Sequence, residues 1–380
     1  MNTIPPLDLT QQYQGLESAV STAVMEVLAS GRYINGPVVS TFAEQFGTYV
    51  GHPHCVVCNS GTDALYLALR ALDIGPGDQV ITSPFTFIAT TETICAVGAT
   101  PVFVDIDLAN FNLNVDQIES AITPRTKAIM PVHLFGHPVD MTRIMAIAAA
   151  HNLPVIEDCA QATGAEWQGQ RVGSIGHVGC FSFFPTKNLG ACGDGGALTT
   201  ADSTLADTAK MIAEHGSRVR YYHDAIGINS RLDALQAAIL SIKLQHLEHW
   251  NQQRTTVAKR YNQLLAPVPG IQCPSESQGG KAVWNQYTIL IEAAPSDSSE
   301  VRDRIRQHMQ GEGVSSMVYY PIPLHLQAVH ADLPYKAGQF PNTEQAANQV
   351  LSLPMFPELT AEQQEKVVHA LKDALAVSLA

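Results

Sequence analysis

The chain opens with apolar residues at helical spacing and continues as short apolar runs divided by polar turns. One face of a first helix is formed by Leu16, Val20, Val24, Val27 and Leu28. We predict that this helix ends at Ser30-Gly31 and that a second helix runs from about Val38 to Tyr49. Both helices precede the apolar runs.

From residue 55 to about residue 200, apolar runs of strand length alternate with stretches of helical pattern. In chain order these segments are CVVC, TDALYLALRAL, QVITSP, the stretch around TTETICAVG, TPVFVDI, a helix from Val115 to Ala121, KAIMPV, MTRIMAIAAAHN, LPVI, GCFSFF and GGALTT. Such alternation is typical of a mainly parallel sheet that is covered by helices on both faces. The sequence therefore predicts an α/β fold.

The last third of the chain has a different pattern. We predict a helix over residues 203 to 214, another that starts near Arg231, and a long polar helix from about 241 to 265. The segment PVPGIQCPSESQGGKA then breaks the pattern, and after it we predict a strand at QYTILI, a helix at VRDRIRQHMQ and a strand at SSMVYY. Thr360 and Gln363 fit a capping box for a final helix. We expect a large domain over residues 1–245, including the N-terminal helical segment, and a small domain over residues 246–380.

Composition narrows the possible function classes. With 380 residues, 46% hydrophobic and 15% charged, the chain has the composition of a globular protein with one large and one smaller domain. The formal charge of -13 argues against nucleic-acid binding, since a phosphate backbone needs a basic surface. No apolar run reaches the ~18 residues that a membrane-spanning helix requires, so we expect no membrane span.

Cysteines and histidines do not form a metal-binding pattern. Seven cysteines, an odd number, and the absence of a charged-then-apolar leader favour a reducing, cytoplasmic setting. Cys55 and Cys58 lie in a predicted strand, and we interpret them as buried thiols rather than as a redox pair or half of a zinc site. The 14 histidines are scattered and include no H-E-x-x-H pattern, so no metal is predicted.

Candidate chemistry centres on Lys187, a single lysine among small residues in the segment CFSFFPTKNLGACGDGGALTT. Partial desolvation lowers the pKa of a lysine amine and makes it nucleophilic toward an aldehyde. A solvated loop lysine is the ordinary alternative. Asp158 favours the first interpretation, because it follows a short buried strand at the edge where open α/β sheets bind ligands. Pyridoxal phosphate needs a lysine that binds it covalently and an acid that keeps its ring nitrogen protonated.

A turn suited to phosphate is the third feature. The segment NSGTDAL, residues 59–65, runs directly into the helical pattern TDALYLALRAL, and free amides at a helix start attract a dianion. A helix cap without a ligand explains the same residues. A turn, an acid and a lysine in this order are much less common together, and they favour a pyridoxal phosphate site.

Ten segments match, in order and approximate spacing, the motifs of a known family. They are SGRYINGP, NSGTDAL, SPFTFIAT, VFVDID, PVHLFGHPVDM, VIEDCAQATGA, CFSFFPTKNLG, GDGGAL, GINSRLDALQAA and YYPIPLHLQ. On these segments the chain resembles the sugar-nucleotide aminotransferases of the DegT/StrS type, which are fold-type I pyridoxal phosphate enzymes. The resemblance implies a large domain with a mainly parallel sheet and a small α+β C-terminal domain.

The resemblance also implies which residues bind pyridoxal 5'-phosphate. They are Gly61, Thr62, Phe87, Asp158, Gln161, Ser182, Lys187 and Asn229. Among them, Lys187 and Asp158 are the catalytic pair: the lysine binds the cofactor and shuttles a proton, and the acid pairs with the pyridine nitrogen. Phe87 covers the cofactor face and Gln161 lies near the ring hydroxyl. Asn229 reaches the phosphate of the neighbouring subunit, which implies a homodimer.

The implied reaction converts a nucleotide-linked keto sugar to an amino sugar, with glutamate as donor and 2-oxoglutarate as its product. The C-terminal segment looks most like the subgroup that aminates 3-keto acetamido sugars, including the UDP-linked uronic acid, for surface polysaccharides. Residues expected to contact the substrate are Tyr33, Arg231, Tyr320 and His325. Arg218 and Arg220 are expected to lie with Arg231 beside Asn229, as cationic partners for an acidic sugar or a diphosphate.

Three alternatives remain at this stage. A dehydratase of the same family would carry histidine at the position of Lys187, so the lysine argues against it. A sugar 4-aminotransferase would share the motifs but aminate another ring carbon. A cofactor-binding regulator without catalysis is possible because fold resemblance does not prove activity.

Overall fold

The structure is a computed structural model that describes residues 3–292 and 298–378. Its helices are α1 (Leu9–Ser30), α2 (Pro37–Val50), α3 (Gly61–Ala71), α4 (Ala89–Ala96), α5 (Ile118–Ala121), α6 (Met141–His151), α7 (Ser203–Ala213), α8 (Ala234–Leu244), α9 (Leu247–Leu265), α10 (Ser298–Gly311), α11 (Pro341–Gln349) and α12 (Ala361–Ser378). The first helix ends at Ser30, as predicted.

The strands carry both the central sheet and several short ribbons. They are β1 (His54–Cys58), β2 (Gln79–Thr82), β3 (Thr100–Phe103), β4 (Thr126–Ile129), β5 (Ile156–Asp158), β6 (Glu166–Trp167), β7 (Gln170–Arg171), β8 (Val178–Ser182), β9 (Gly196–Thr200), β10 (Ser217–Val219), β11 (Tyr222–His223), β12 (Ile271–Gln272), β13 (Gly280–Lys281), β14 (Tyr287–Ile291) and β15 (Val350–Leu353).

The central sheet consists of two parts joined side by side. One part has the strand order β1-β9-β8-β5 and the other the order β3-β2-β4. Parallel bridges from Ile129 to Val155 and from Val132 to Asp158 connect them. Strand β9 is antiparallel to β1 and β8, whereas β5 with β8, β2 with β3 and β2 with β4 pair in parallel. The predicted mainly parallel sheet is therefore confirmed.

Helices cover both faces of this sheet because side chains along a strand alternate in direction. Val178 and Cys180 of β8 pack in a core with residues of α3 and α7. Phe181 of the same strand packs in a second core with Phe42 and Phe46 of α2. The rings of Phe46 and Phe181 meet edge to face with centroids 5.0 Å apart.

A separate core joins the C-terminal part of the chain. It contains apolar residues from the second half of α9, from β14 and β15, and from α10 and α12. Ile4 also belongs to it, and its main-chain N–H donates to the Gly313 carbonyl oxygen at 2.8 Å. The N-terminal segment thus packs with the C-terminal one, and the proposed domain boundary at residue 245 stays a prediction.

Two elements differ from the sequence-based prediction. The strand expected at SSMVYY is wrong, since Met317 makes an isolated bridge to Ser352 and the segment forms no strand. Pro321 and Pro323 follow directly, and proline lacks an amide donor and restricts the residue before it. The helix expected over 241–265 is divided between α8 and α9, and only the second half of α9 packs in the C-terminal core.

Within residues 3–292 and 298–378, none of the helices is long and apolar enough to cross a membrane.

The amino end of α12 has the predicted capping box. The Thr360 N–H donates to Gln363 Oε1 at 2.9 Å, and the Gln363 N–H donates to Thr360 Oγ1 at 3.2 Å. Val367 and Leu371 of α12 are buried in the C-terminal core, so fraying of this end would disturb that core.

We predict that Thr360→Ala lowers the free energy of unfolding by about 1 kcal/mol, because one helix amide loses its acceptor. Urea unfolding followed by circular dichroism measures the change. Lys372→Ala, at an exposed position of the same helix, is the matched control and should shift the unfolding midpoint much less. Equal stability of both variants would contradict a stabilising cap.

Candidate active site

Lys187 lies in the connection between β8 and β9, at the edge of the central sheet. Its main-chain N–H donates to the Phe184 carbonyl oxygen at 2.9 Å, which closes a turn. The Ala191 N–H donates to the Phe183 carbonyl oxygen at 2.7 Å and closes the wider loop around it. The lysine side chain is half-buried. The structure thus holds this lysine in a closed loop and not in a solvated one.

Asp158 ends strand β5 and is buried. Its Oδ2 accepts a hydrogen bond from Thr90 Oγ1 at 2.9 Å, and its Oδ1 accepts one from the Ala160 N–H at 3.1 Å. Both donors favour the charged carboxylate. Thr90 precedes Asp158 by many residues in the chain, and the sequence carries no signal for this contact.

Burial shifts the pKa values of the two predicted catalytic groups toward each other. It lowers the pKa of Lys187 to about 8, although the nearby Asp158 carboxylate opposes this shift. It raises the pKa of Asp158, against the hydrogen bonds from Ala160 and Thr90 and the charge of Lys187. The lysine and the acid are therefore close enough to interact electrostatically, as the proposed chemistry requires.

The predicted phosphate cradle lies at the amino end of α3. Ser60 caps this helix, since its Oγ accepts a hydrogen bond from the Asp63 N–H at 3.1 Å. Gly61 packs against Ser182 so closely that an added Cβ would lie 2.6 Å from the serine Cβ. Thr62 follows Gly61 and is half-buried. The structure brings these three predicted phosphate ligands together, beside helix amides that have no intrahelical acceptor.

Aromatic and amide groups form a wall next to Asp158. The ring centroids of Phe87 and Tyr320 are 6.2 Å apart, and Phe87 is 56% exposed, so one face of its ring is open to a ligand. Gln161 Nε2 donates to the Tyr320 hydroxyl at 3.1 Å, and Gln161 Oε1 accepts from the Phe135 N–H at 2.7 Å. The predicted ring-binding residues and one predicted substrate residue therefore share one site.

The loop with Asn229 is connected to the cradle of its own chain. Asn229 is exposed and forms an isolated bridge with Glu214. The hydroxyl of Ser230 accepts from the Asn59 N–H at 3.1 Å and donates to Asp63 Oδ2 at 2.6 Å. Sequence reasoning missed Ser230, whose role depends on partners far away in the chain. Contact of Asn229 with a neighbouring subunit stays a prediction.

The three arginines expected beside Asn229 have different surroundings. Arg218 lies near Asp224, with its Nε 3.8 Å from the carboxylate Oδ2. Arg220 lies over the Tyr221 ring, 5.0 Å from its centroid. Arg231 is half-buried and forms no ion pair within the described part of the chain. Contact of Arg231 with an anionic substrate stays a prediction.

Two further residues predicted to contact substrate are placed in contrasting environments. Tyr33 is exposed, and its hydroxyl donates to the Leu28 carbonyl oxygen at 3.3 Å. His325 is 3% exposed, with its Nε2 3.1 Å from Glu344 Oε1 and its ring 4.8 Å from the Phe340 ring centroid. In this chain His325 packs in the interior rather than facing an open surface, and its contact with a sugar stays a prediction.

A buried group that sequence analysis did not identify lies beside Asp158. Glu157 is fully buried, 3.0 Å from His133 Nε2, and accepts three hydrogen bonds from main-chain N–H groups of residues 173–176. His133 Nδ1 accepts from the Val139 N–H at 3.1 Å, so its Nε2 carries the proton. The Cys159 thiol is nearby, and the three side chains have the donor types of a metal site. Because Glu157 and His133 already use these atoms in hydrogen bonds, we assign them a structural role.

The residues of the site fit pyridoxal phosphate. Gly61 lets the amino end of α3 approach Ser182 closely, and Ser182 and the amides at that helix end offer donors to a phosphate. Asp158 is a buried carboxylate suited to a protonated ring nitrogen, and the exposed ring of Phe87 can stack on a ligand. Lys187 has the lowered pKa of a lysine that reacts with an aldehyde. Together they define the lysine and acid centre of a cofactor-dependent enzyme.

Comparison with protein families gives the same class. The model of the DegT/DnrJ/EryC1/StrS aminotransferase family matches residues 15–372. The chain belongs to this family, which confirms the resemblance drawn from its motifs and the predicted fold class.

Curated relatives cover almost the whole chain. A "pleiotropic regulatory protein" from Geobacillus stearothermophilus is 48% identical over 97% of this chain and 98% of its own. A UDP-N-acetyl-3-dehydro-alpha-D-glucosamine 3-aminotransferase from Acidithiobacillus ferrooxidans is 46% identical, with 98% of both chains covered. A UDP-2-acetamido-2-deoxy-3-oxo-D-glucuronate aminotransferase from Pseudomonas aeruginosa is 43% identical over 93% of this chain and 95% of its own.

Two solved structures match this chain over nearly its whole length. DesV of S. venezuelae, solved in complex with a ketimine intermediate, matches with a TM-score of 0.94 at 42% identity, covering 98% of both chains. NtdA from Bacillus subtilis, solved with bound cofactor PMP, matches with a TM-score of 0.91 at 34% identity, covering 99% of this chain and 86% of that one. Both solved proteins therefore share this fold.

We predict that the amine of Lys187 in the cofactor-free protein reacts with an acylating reagent with a pH midpoint near 8, because burial lowers its pKa. The neutral amine reacts, so the rate rises as the pH passes through this value. Peptide mapping by mass spectrometry measures the rate, with exposed Lys127 as the internal control.

The Asp158→Asn variant tests the opposing effect of the carboxylate charge. Removing the carboxylate charge takes away a stabilisation of the protonated amine, so the midpoint of Lys187 should fall further. A Lys187 that titrates like Lys127 in the unmodified protein would contradict the burial seen in the structure.

Proposed function

We propose that the chain is a pyridoxal phosphate-dependent transaminase that converts a nucleotide-linked keto sugar to an amino sugar, with glutamate as the donor. The observation that carries this proposal is the half-buried Lys187, whose pKa is lowered to about 8 beside the buried Asp158. Family membership and the cofactor named in a similar structure support it. The relatives' names support the substrate class.

Pyridoxal phosphate, when bound, supplies an electron sink for the negative charge that develops at the α-carbon of the amino donor. The chain's own residues supply orientation and proton transfer. Lys187 accepts and releases a proton at Nζ near neutral pH, because its pKa lies close to the working range. Asp158 provides a fixed negative charge for the ring nitrogen, and Thr90 holds that carboxylate in place.

A second set of residues holds the polar and aromatic side chains of the site in place. Gln161 accepts a hydrogen bond from the Phe135 N–H and donates one to the Tyr320 hydroxyl. The polar group expected near the ring hydroxyl of the cofactor is therefore held from both sides. Phe87 and Tyr320 form an aromatic wall on that side. The transfer proceeds in two stages on one site, which implies ping-pong kinetics.

The acceptor that we propose is a 3-keto acetamido sugar linked to a nucleotide. The Acidithiobacillus and Pseudomonas relatives are both named for amination at carbon 3 of such sugars, one neutral and one a uronate. The product would serve surface polysaccharide synthesis in the cytoplasm, a reducing compartment consistent with the seven free cysteines. A 4-aminotransferase is the alternative within the family.

A regulator without catalysis is the alternative from another class, and one relative carries a regulatory name. A protein that merely binds a cofactor has no need for a lysine with a lowered pKa beside a buried acid. The Lys187–Asp158 arrangement therefore favours the transaminase.

We predict that Lys187→Ala lowers the formation of 2-oxoglutarate from glutamate about 1,000-fold or more, because both the covalent link and the proton shuttle are lost. A coupled assay with a UDP-linked 3-keto sugar measures turnover. Lys127→Ala, at an exposed lysine, is the matched control and should keep its activity. Circular dichroism checks that the fold persists, and full turnover by the Lys187 variant would reject the assignment.

We further propose a homodimer in which Asn229 completes the phosphate site of the partner subunit. The ribbon of β10 and β11 and the residues around it expose several large apolar side chains, which a second copy would cover. They are Val219, Tyr221, Tyr222 and Ile226.

Mixing Lys187→Ala chains with Asn229→Ala chains tests this shared site. If Asn229 acts across the interface, each mixed dimer has one doubly altered site and one intact site, so activity should rise above that of the two separate variants. Turnover before and after mixing measures the effect. No gain, with mixed dimers shown by native mass spectrometry, would place Asn229 in its own subunit's site.

We predict that Arg231→Ala raises the Michaelis constant for a UDP-linked uronate about 10-fold and leaves that for glutamate nearly unchanged, because one charged hydrogen bond is lost. Steady-state kinetics with each substrate in turn measures the two constants. Arg220→Ala is the matched control, since Arg220 already lies over Tyr221. Equal use of a neutral 4-keto sugar, without response to Arg231, would favour a 4-aminating enzyme.

A further inference from the structure

Three buried asparagines form a continuous chain of hydrogen bonds around the Lys187 turn. Asn285 Nδ2 donates to Asn188 Oδ1 at 2.8 Å, and Asn188 Nδ2 donates to Asn251 Oδ1 at 2.7 Å. Asn251 Nδ2 in turn donates to the Thr163 carbonyl oxygen at 3.1 Å. All three asparagines are at most 6% exposed. We refer to Asn285, Asn188 and Asn251 as the amide relay.

The amide relay contacts both neighbours of Lys187 in the sequence. Asn188 is itself the central member, and the carbonyl oxygen of Thr186 accepts a second hydrogen bond from Asn285 Nδ2 at 3.4 Å. Asn188 Nδ2 also donates to the Val283 carbonyl oxygen at 2.9 Å. The carbonyl group before the lysine and the side chain after it are thus fixed by groups from distant parts of the sequence.

The other end of the relay reaches the acid. Thr163, which accepts from Asn251, belongs to the loop that begins at Asp158 and contains Gln161. Gly164 in this loop approaches Asn251 so closely that an added Cβ would lie 2.6 Å from its Nδ2. The relay therefore joins the loop of the acid to the turn of the lysine.

One helix provides the rigid support for the relay. Asn251 lies on α9, and Arg254 lies one turn further along the same face. Arg254 is buried, and its Nη1 donates to the carbonyl oxygens of Trp284 and Asn285. The helix thus holds Asn251 directly and fixes the main chain of Asn285. The polar character of α9 partly reflects this buried face.

We propose that Asn251 and Asn188 are positioning residues that hold the Nζ of Lys187 at its working position relative to Asp158, through the amide relay. The proposal rests on the roles given above to Lys187 and Asp158. The relay keeps the lysine turn closed against the acid loop, and so keeps the lysine half-buried. Without the relay the turn opens to water, and the amine titrates as an ordinary lysine.

Asn251→Ala and Asn188→Ala test this proposal. We expect the glutamate half-reaction to slow about 100-fold in each, because a displacement of about 1 Å at the reacting group has this effect. The Michaelis constant for glutamate should change much less than the rate. In the cofactor-free protein, the pH midpoint for acylation of Lys187 should move upward from about 8. Mass spectrometry of the labelled peptide reads this midpoint without any turnover.

The double variant separates a relay from two independent contacts. Because Asn188 and Asn251 act through one hydrogen bond, the combined change should slow the reaction little more than either change alone. Additive losses would contradict the relay.

Asn262→Ala is the matched control. Asn262 lies on the same helix and accepts a hydrogen bond from the Tyr287 hydroxyl at 2.5 Å, away from Lys187. This variant should lose stability but keep the Lys187 midpoint. If Asn251→Ala fails to fold, Asn285→Ala replaces it in the test, since Asn285 contacts the Lys187 turn from the other side.

Two further outcomes overturn the proposal. Folded Asn188 and Asn251 variants with an unchanged midpoint and rate would show that the relay only stabilises the fold. A slower glutamate half-reaction in every variant, including the Asn262→Ala control, together with an unchanged Lys187 midpoint would show the same. Failure of the proposed function looks different, since the unmodified protein would then show no glutamate turnover or Lys187→Ala would keep it, whereas the Lys187 midpoint is read without turnover.

Discussion

The site depends on the burial of two oppositely charged groups, Asp158 and Lys187, away from water. Burial destabilises the charged form of Asp158 and of Lys187, while their attraction stabilises both charges. The hydrogen bonds from Thr90 and Ala160 act on the acid alone and lower its pKa against the effect of burial. Among the described residues, no set of hydrogen-bond acceptors stabilises the Lys187 ammonium in the same way, and burial lowers its pKa. The surrounding loops hold the two groups in these different environments.

Adjacent carboxylates on one strand illustrate how environment separates two similar groups. Burial alone would raise the pKa of Glu157, but His133 and the amides of residues 173–176 hold that pKa below its ordinary value. Asp158, the next residue, has a raised pKa. Because neighbouring side chains on a strand point to opposite faces, one carboxylate stabilises the interior and the other reaches the ligand side.

Much of this arrangement could be predicted from local pattern. Lys187, Asp158 and the turn before α3 were identified by residue type and by their places after strands, and the Thr360 capping box by its spacing. What could not be predicted depends on contacts between distant segments. Neither the approach of Asn251 to Asn188 nor that of His133 to Glu157 leaves a periodic signal. A histidine in the chain also gives no sign of its burial, as His325 shows.

The reversed direction of β9 has a consequence for how such an enzyme can diversify. Since β9 is antiparallel to β8, the two strands are joined by a hairpin, and both ends of the 183–195 loop lie at the same edge of the sheet. Elsewhere in the sheet, neighbouring parallel strands require a crossover through a helix. A change of length in this hairpin therefore needs no change in the strand order of the sheet. The shape of the segment around the reactive lysine is set instead by its contacts with α8 and α9, so its divergence is limited by two helices and not by the sheet.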